Sequence, residues 1–79
     1  MATNECSRHP ATQHLLDLFA YDHLPPGDVQ ITSGMCSLFA HEMAARLGDG
    51  PELTTGLRKL LEAKDCFVRQ AVIDVRSGK

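Results

Sequence analysis

The sequence has no tryptophan, one tyrosine and three phenylalanines in 79 residues, which leaves little ring surface for stacking along a nucleic-acid strand. It also lacks an excess of positive charge. Eight Lys and Arg stand against ten Asp and Glu, for a net charge of −2, whereas general attraction to duplex phosphates needs the opposite balance. No apolar run approaches the ~20 residues of a membrane span. The opening Met1-Ala2-Thr3-Asn4-Glu5 has neither the positive start nor the apolar stretch of a signal peptide. No nucleic-acid polymer and no membrane is therefore expected as a partner, and the expected location is the cytoplasm. The cysteines Cys6, Cys36 and Cys66 are odd in number and far apart, with no CxxC. They suit a reducing compartment better than a disulfide framework.

Catalytic constellations are equally scarce. There is no phosphate-binding glycine loop and no GxSxG. Cys36 lies five residues before His41, one step outside the i, i+4 relation that brings side chains together on a helix, and Cys66 follows Asp65, which does not favour a thiolate. Cys6-x-x-His9, with His14, His23 and His41 further on, matches no zinc framework. No catalytic residue, metal or cofactor is expected, and the chain reads as a binding protein and not an enzyme.

What is present is helical periodicity in one small domain. Residues 1–9 are polar and irregular and read as a flexible N-terminus, residues 10–75 as the helical domain, and residues 76–79 as a frayed end. A short helix is expected from Ala11 to Ala20. The stretch from Tyr21 to Asp28, with Pro25, Pro26 and Gly27, reads as a turn in which Asp28 caps the next helix. The second helix is expected to end at Leu47, before Gly48-Asp49-Gly50. Its start is expected to be kinked or unwound, because Val29, Ile31 and Thr32 are β-branched and Gly34 costs about 1 kcal/mol in a helix interior. Pro51 and Glu52 open a third helix running to Ile73 or Asp74. So short a link between two long helices implies an antiparallel hairpin, giving an all-α fold of one short helix plus a long helical hairpin.

A step of 100° per residue puts Leu53, Leu57, Leu60, Leu61, Phe67, Val68, Ala71 and Val72 on one broad stripe of the third helix. Arg58, Glu62, Asp65 and Arg69 fall opposite, as a solvated row. Lys64 interrupts the apolar stripe, and Glu42 stands likewise among Met35, Leu38, Phe39 and Arg46 on the second helix. A charge so placed must snorkel, pair, or meet a ligand or another subunit. One short and two long helices cannot close a core on every side, so assembly with copies of the same chain is expected. Tyr21 has two readings: an anchor for the short helix with its hydroxyl at the surface, or a ring that stacks on a base beside His23.

Leu57-x-Lys59-Leu60-x-Glu62-Ala63, preceded by Glu52 and Thr54 and followed by an apolar helix end, resembles the C-terminal helix of the phage sponge proteins that counteract CBASS and Thoeris immunity. Tyr21-Asp22-His23-Leu24-Pro25 before a long helix is similar to the other half of a branch of that helical-hairpin family. The resemblance spans residues of about 10 to 73. It implies a homo-oligomer that binds cyclic nucleotide signals in pockets between chains without cleaving them, the ligands being cyclic di- or trinucleotides or cyclic ADP-ribose-type molecules. By the same resemblance Tyr21 matches an aromatic that packs on a base, and Thr54, Arg58 and Lys59 stand where polar and basic residues approach the ligand. His23 and Lys64 join them from the stripe argument. The chain departs from the pattern at Ser33-Gly34, where related sequences tend to carry a lysine that bears on phosphate contact from that end. The alternative reading is a helical adaptor or regulatory subunit that grips a protein partner and takes no nucleotide.

Overall fold

The computed structural model describes residues 9–24 and 26–78; the N-terminal segment expected to be flexible, apart from His9, lies outside them. The described chain is all-helical, with α1 (Pro10–Asp17), α2 (Asp28–Arg46) and α3 (Pro51–Arg76), and no strand among the described residues. The molecule is a rod of 48 × 23 × 17 Å. α2 packs chiefly on α3, and α1 lies against α3 with a smaller contact to α2.

Each boundary has a local cause. Pro10 occupies the first helical turn of α1, where its missing N–H is no loss, and the His9 imidazole Nδ1 accepts the Ala11 N–H at 3.0 Å. α1 ends three residues short of the expected Ala20. The chain tightens there into i→i+3 bonds, Phe19 N–H to Leu16 O at 3.0 Å and Ala20 N–H to Asp17 O at 3.2 Å. That tightening turns the Phe19 ring fully inward. α2 is helical from Asp28 onward, not kinked or unwound at its start. Its cap is Gly27, in the positive-φ region at 121°, which glycine adopts without strain. Asp28 is therefore not the cap; it is the first helical residue and contributes a negative charge to the positive end of the helix dipole. α3 starts at Pro51 as expected and continues to Arg76, past the expected stop at Ile73 or Asp74.

Gly34 sits inside α2 without unwinding it because the Tyr21 ring lies against it. A β-carbon at Gly34 would meet Tyr21 Cε2 at 3.3 Å and Cδ2 at 3.4 Å. The helix-propensity cost of glycine is thus offset by close packing of the Tyr21 ring.

The core is thin and centred on α1. Leu15, Leu16, Phe19, Ala40 and Leu57 form its buried cluster, with Cys36, Ala44, Leu53, Leu60 and Leu61 half-buried around it. At roughly 1.5–3 kcal/mol for each large side chain fully removed from water, such a cluster supports only a marginal domain. The face that α2 turns inward is small and partly polar: Ser33, Ser37 and Ala40 are its buried residues. Small side chains let the helix axes approach, but Ser33 Oγ is left buried with no hydrogen-bond partner among the described residues. The bulky side chains of α2 point the other way. Ile31, Met35, Leu38 and Phe39 are 58%, 68%, 65% and 53% exposed, and a 100° step places them together on one face.

Candidate functional site

The six candidate residues fall in three places. Tyr21 and His23 lie in the turn after α1, which is closed by the Leu24 N–H donating to Tyr21 O at 3.1 Å. Gln30 Nε2 fastens that turn to the first turns of α2 by donating to Leu24 O at 3.2 Å. His23 is exposed, and Tyr21 is 37% exposed with its ring against Gly34. The anchoring contact that sequence offered for Tyr21 is therefore present, and the ring's outer edge stays open to solvent.

Lys64 reaches the same end of α1. Its side chain is only 13% exposed, and Nζ donates to Leu18 O at 3.4 Å and lies 3.8 Å from Asp65 Oδ1. Leu18 is the residue that caps α1. A cation at that point meets carbonyls left without helical partners and the negative end of the dipole, a favourable contact of about 0.3–1 kcal/mol. The charge in the apolar stripe thus has a use within the chain. It also acts on Cys36, whose thiol is pushed above its ordinary value by burial, while the Lys64 ammonium opposes that shift.

Thr54 belongs to the opposite end of α1. Its hydroxyl is 3.1 Å from that of Thr12 and 3.2 Å from Gly50 O. Thr12 spends its single proton on Asp49 Oδ1 at 2.9 Å, so the single Thr54 proton has two acceptors within reach, Thr12 Oγ1 and Gly50 O. The other Asp49 oxygen, Oδ2, accepts the His9 N–H. One carboxylate from the α2–α3 connection therefore clasps the amino end of α1, where the helix dipole favours a negative charge. Around it lies a shallow depression of about 370 Å³ lined by His9, Ala11, Asp49, Pro51, Thr54 and Thr55. Asp49 makes that depression unwelcoming to a phosphate.

Arg58 and Lys59 are exposed on α3. By helical geometry they point roughly 120° and 140° away from Lys64, and Thr54 and Lys64 stand about 15 Å apart along the axis. Within one chain, then, Tyr21, His23 and Lys64 gather at one end of α1, Thr54 lies at the other, and the exposed cations face elsewhere. Comparison with known proteins finds no matching family model, no similar curated protein and no similar solved structure.

Two features have little or no signature in the sequence. The first is the clasp of Asp49 on Thr12, whose only sequence signal is a polar residue on the apolar side of α1. The second is an open groove of about 470 Å³ lined mostly by apolar residues, among them Phe39, Met43, Leu47, Leu53 and Leu60, together with Gly56 and the charged Glu52. Among the described residues, no three His, Cys, Asp or Glu side chains converge as a metal site. No helix among them is long and apolar enough to cross a membrane.

Proposed function

We propose that this chain is a non-catalytic, self-assembling sponge that holds a cyclic nucleotide signal between its copies, built on α2 and α3 as an antiparallel hairpin. The observation that carries the assembly is α2, apolar on its outward side and small and partly polar on its inward side. The apolar stripe of a helix belongs in an interior, and an exposed apolar patch of this kind marks a contact surface. Within one chain α2 has no such interior; a second copy supplies it. Assembly also answers the scatter of the candidate residues. Arg58 and Lys59, exposed on one chain, then stand at seams where they can meet Tyr21 and His23 of another, and paired guanidinium and ammonium groups suit a ligand with two or more phosphates. The ligand class comes from the resemblance to the phage anti-CBASS and anti-Thoeris sponge family, whose setting would be the host cytoplasm.

The test is retention and release. Purified protein is mixed at micromolar concentration with a panel of cyclic di- and trinucleotides and cyclic ADP-ribose isomers, separated from free ligand, and heat-denatured. The expected result is depletion of at least one ligand and its recovery intact by mass spectrometry. Arg58→Glu and Lys59→Glu are expected to lower retention at least tenfold while helicity and assembly persist. Normal retention by both variants would remove these residues from the site. Depletion of no ligand, together with stoichiometric capture of one host protein, would favour the adaptor reading, which the open apolar groove between α2 and α3 would then serve.

A further inference from the structure

Gly56 occupies the interior of α3 with no neighbour to explain it. Gly34 is matched by the Tyr21 ring, but a β-carbon at Gly56 would meet nothing within 4 Å among the described residues. Glycine weakens a helix interior relative to alanine, so within a single chain this one has a cost and no return. It also lines the open groove between α2 and α3. Eleven residues further along α3, Phe67 is 56% exposed.

These positions belong to one series. Leu53, Gly56, Leu60, Ala63 and Phe67 succeed one another at alternating steps of three and four residues, which is the spacing of a seam between paired helices. The series carries no charge from end to end, and large and small side chains alternate along it. From the geometry we infer that the groove is filled by α3 of a second copy of this chain, antiparallel and related by a two-fold axis, with Phe67 of each copy seated on Gly56 of the other. In that register Leu60 of each copy stands opposite Ala63 of the other, so Phe67 and Leu60 meet small side chains, while Leu53 stands opposite Gln70. The operation is self-complementary, as a two-fold contact must be. The two α3 helices overlap over residues 51–72, roughly 33 Å. Across the width of two helices, about 20 Å, this gives on the order of 650 Å² per copy, near the ~800 Å² of a stable interface.

The seam rests on the self-assembly half of the proposed function, of which it names one contact, and it does not depend on the ligand. The experiment places single cysteines in a background with Cys6, Cys36 and Cys66 replaced by serine. Ala63→Cys lies near the two-fold axis on the seam, and Glu62→Cys lies at the same height on the far side of the helix. A short bismaleimide is expected to link Ala63→Cys chains into covalent dimers and to leave Glu62→Cys chains unlinked. In sedimentation velocity, Gly56→Arg and Phe67→Ala are each expected to weaken dimerisation at least tenfold, with helicity by circular dichroism unchanged. Folding should survive both changes, since Phe67 is exposed and Gly56 has no contact to lose. An assembled protein in which Ala63→Cys fails to link, or in which both seam variants assemble normally, overturns this seam and leaves self-assembly standing. A chain that sediments as a monomer at all concentrations up to the hundred-micromolar range overturns both.

Discussion

Replacing Gly34 by alanine sets two effects against each other. The substitution removes a helix-propensity deficit of about 1 kcal/mol, but it places a methyl 3.3 Å from Tyr21 Cε2, close enough that the ring must move. In the otherwise unchanged protein, Gly34→Ala is expected to be neutral or destabilising in urea unfolding. In a Tyr21→Ala background the same change is expected to stabilise by about 1 kcal/mol. A double-mutant cycle reads the coupling directly, and a coupling near zero would mean that the ring does not rest on α2. Cys36 offers a second measurement at this scale. Burial holds its thiol in the protonated form, with Lys64 only partly opposing, so iodoacetamide at mildly alkaline pH is expected to modify exposed Cys66 well before Cys36. The same shift bears on stability. The folded chain binds this proton more tightly than the unfolded one, so the contribution is present below the ordinary thiol range and is lost as pH rises through and above it. Cys36→Ala should flatten that alkaline loss.

At the level of elements, the local signals that sequence carries strongly are the ones the structure realises. Pro51 with Glu52 opens α3 where expected, and the glycines around Asp49 separate it from α2. The start of α2 departs from expectation because β-branched residues and Gly34 argue against helix only locally. Tyr21, thirteen positions earlier, offsets the glycine through packing that no window along the chain contains. The direction of α2 is illegible for a related reason. Ser33 and Ser37 look like surface residues by composition, yet they face inward because α1 and α3 come close there, and Met35, Leu38 and Phe39 are turned out. Lys64 stands out as anomalous in the sequence, but its partner, a backbone carbonyl at Leu18, leaves no trace in residue type. Of the candidate site, sequence could nominate Tyr21, His23, Thr54, Arg58, Lys59 and Lys64. It could not see that Thr54 is engaged with Thr12 or that Arg58 and Lys59 face away from Lys64. The Asp49 clasp leads to a prediction about docking. Asp49→Ala removes the acceptor of both the His9 N–H and the Thr12 hydroxyl, and hydrogen bonds to a charged group are worth about 1.5–3 kcal/mol. Partial exposure lowers the expectation to about 1–2 kcal/mol in chemical unfolding, with Asp49→Asn losing less because it keeps one carbonyl acceptor.

For the molecule as a whole, the outward side of α2 gives the sharpest contrast between one chain and several. Leu38 is 65% exposed, so for an isolated chain Leu38→Glu should be nearly neutral, within about 0.5 kcal/mol as for ordinary surface changes. If copies cover that side, the same substitution is expected to shift sedimentation to a smaller species with the helical content retained. An unchanged sedimentation profile would exclude that side from the assembly. The shortest helix has a different kind of consequence. α1 and the turn that ends it supply Leu15, Leu16 and Phe19, three of the five buried apolar residues among those described, and Asp49 and Lys64 hold it at its two ends. Letting go of that eight-residue segment would leave little interior for the remaining helices to share. Backbone amides in α1 should therefore exchange with solvent no faster than those in the middle of α3, because for this chain a partial opening at the amino-terminal side is already the global one.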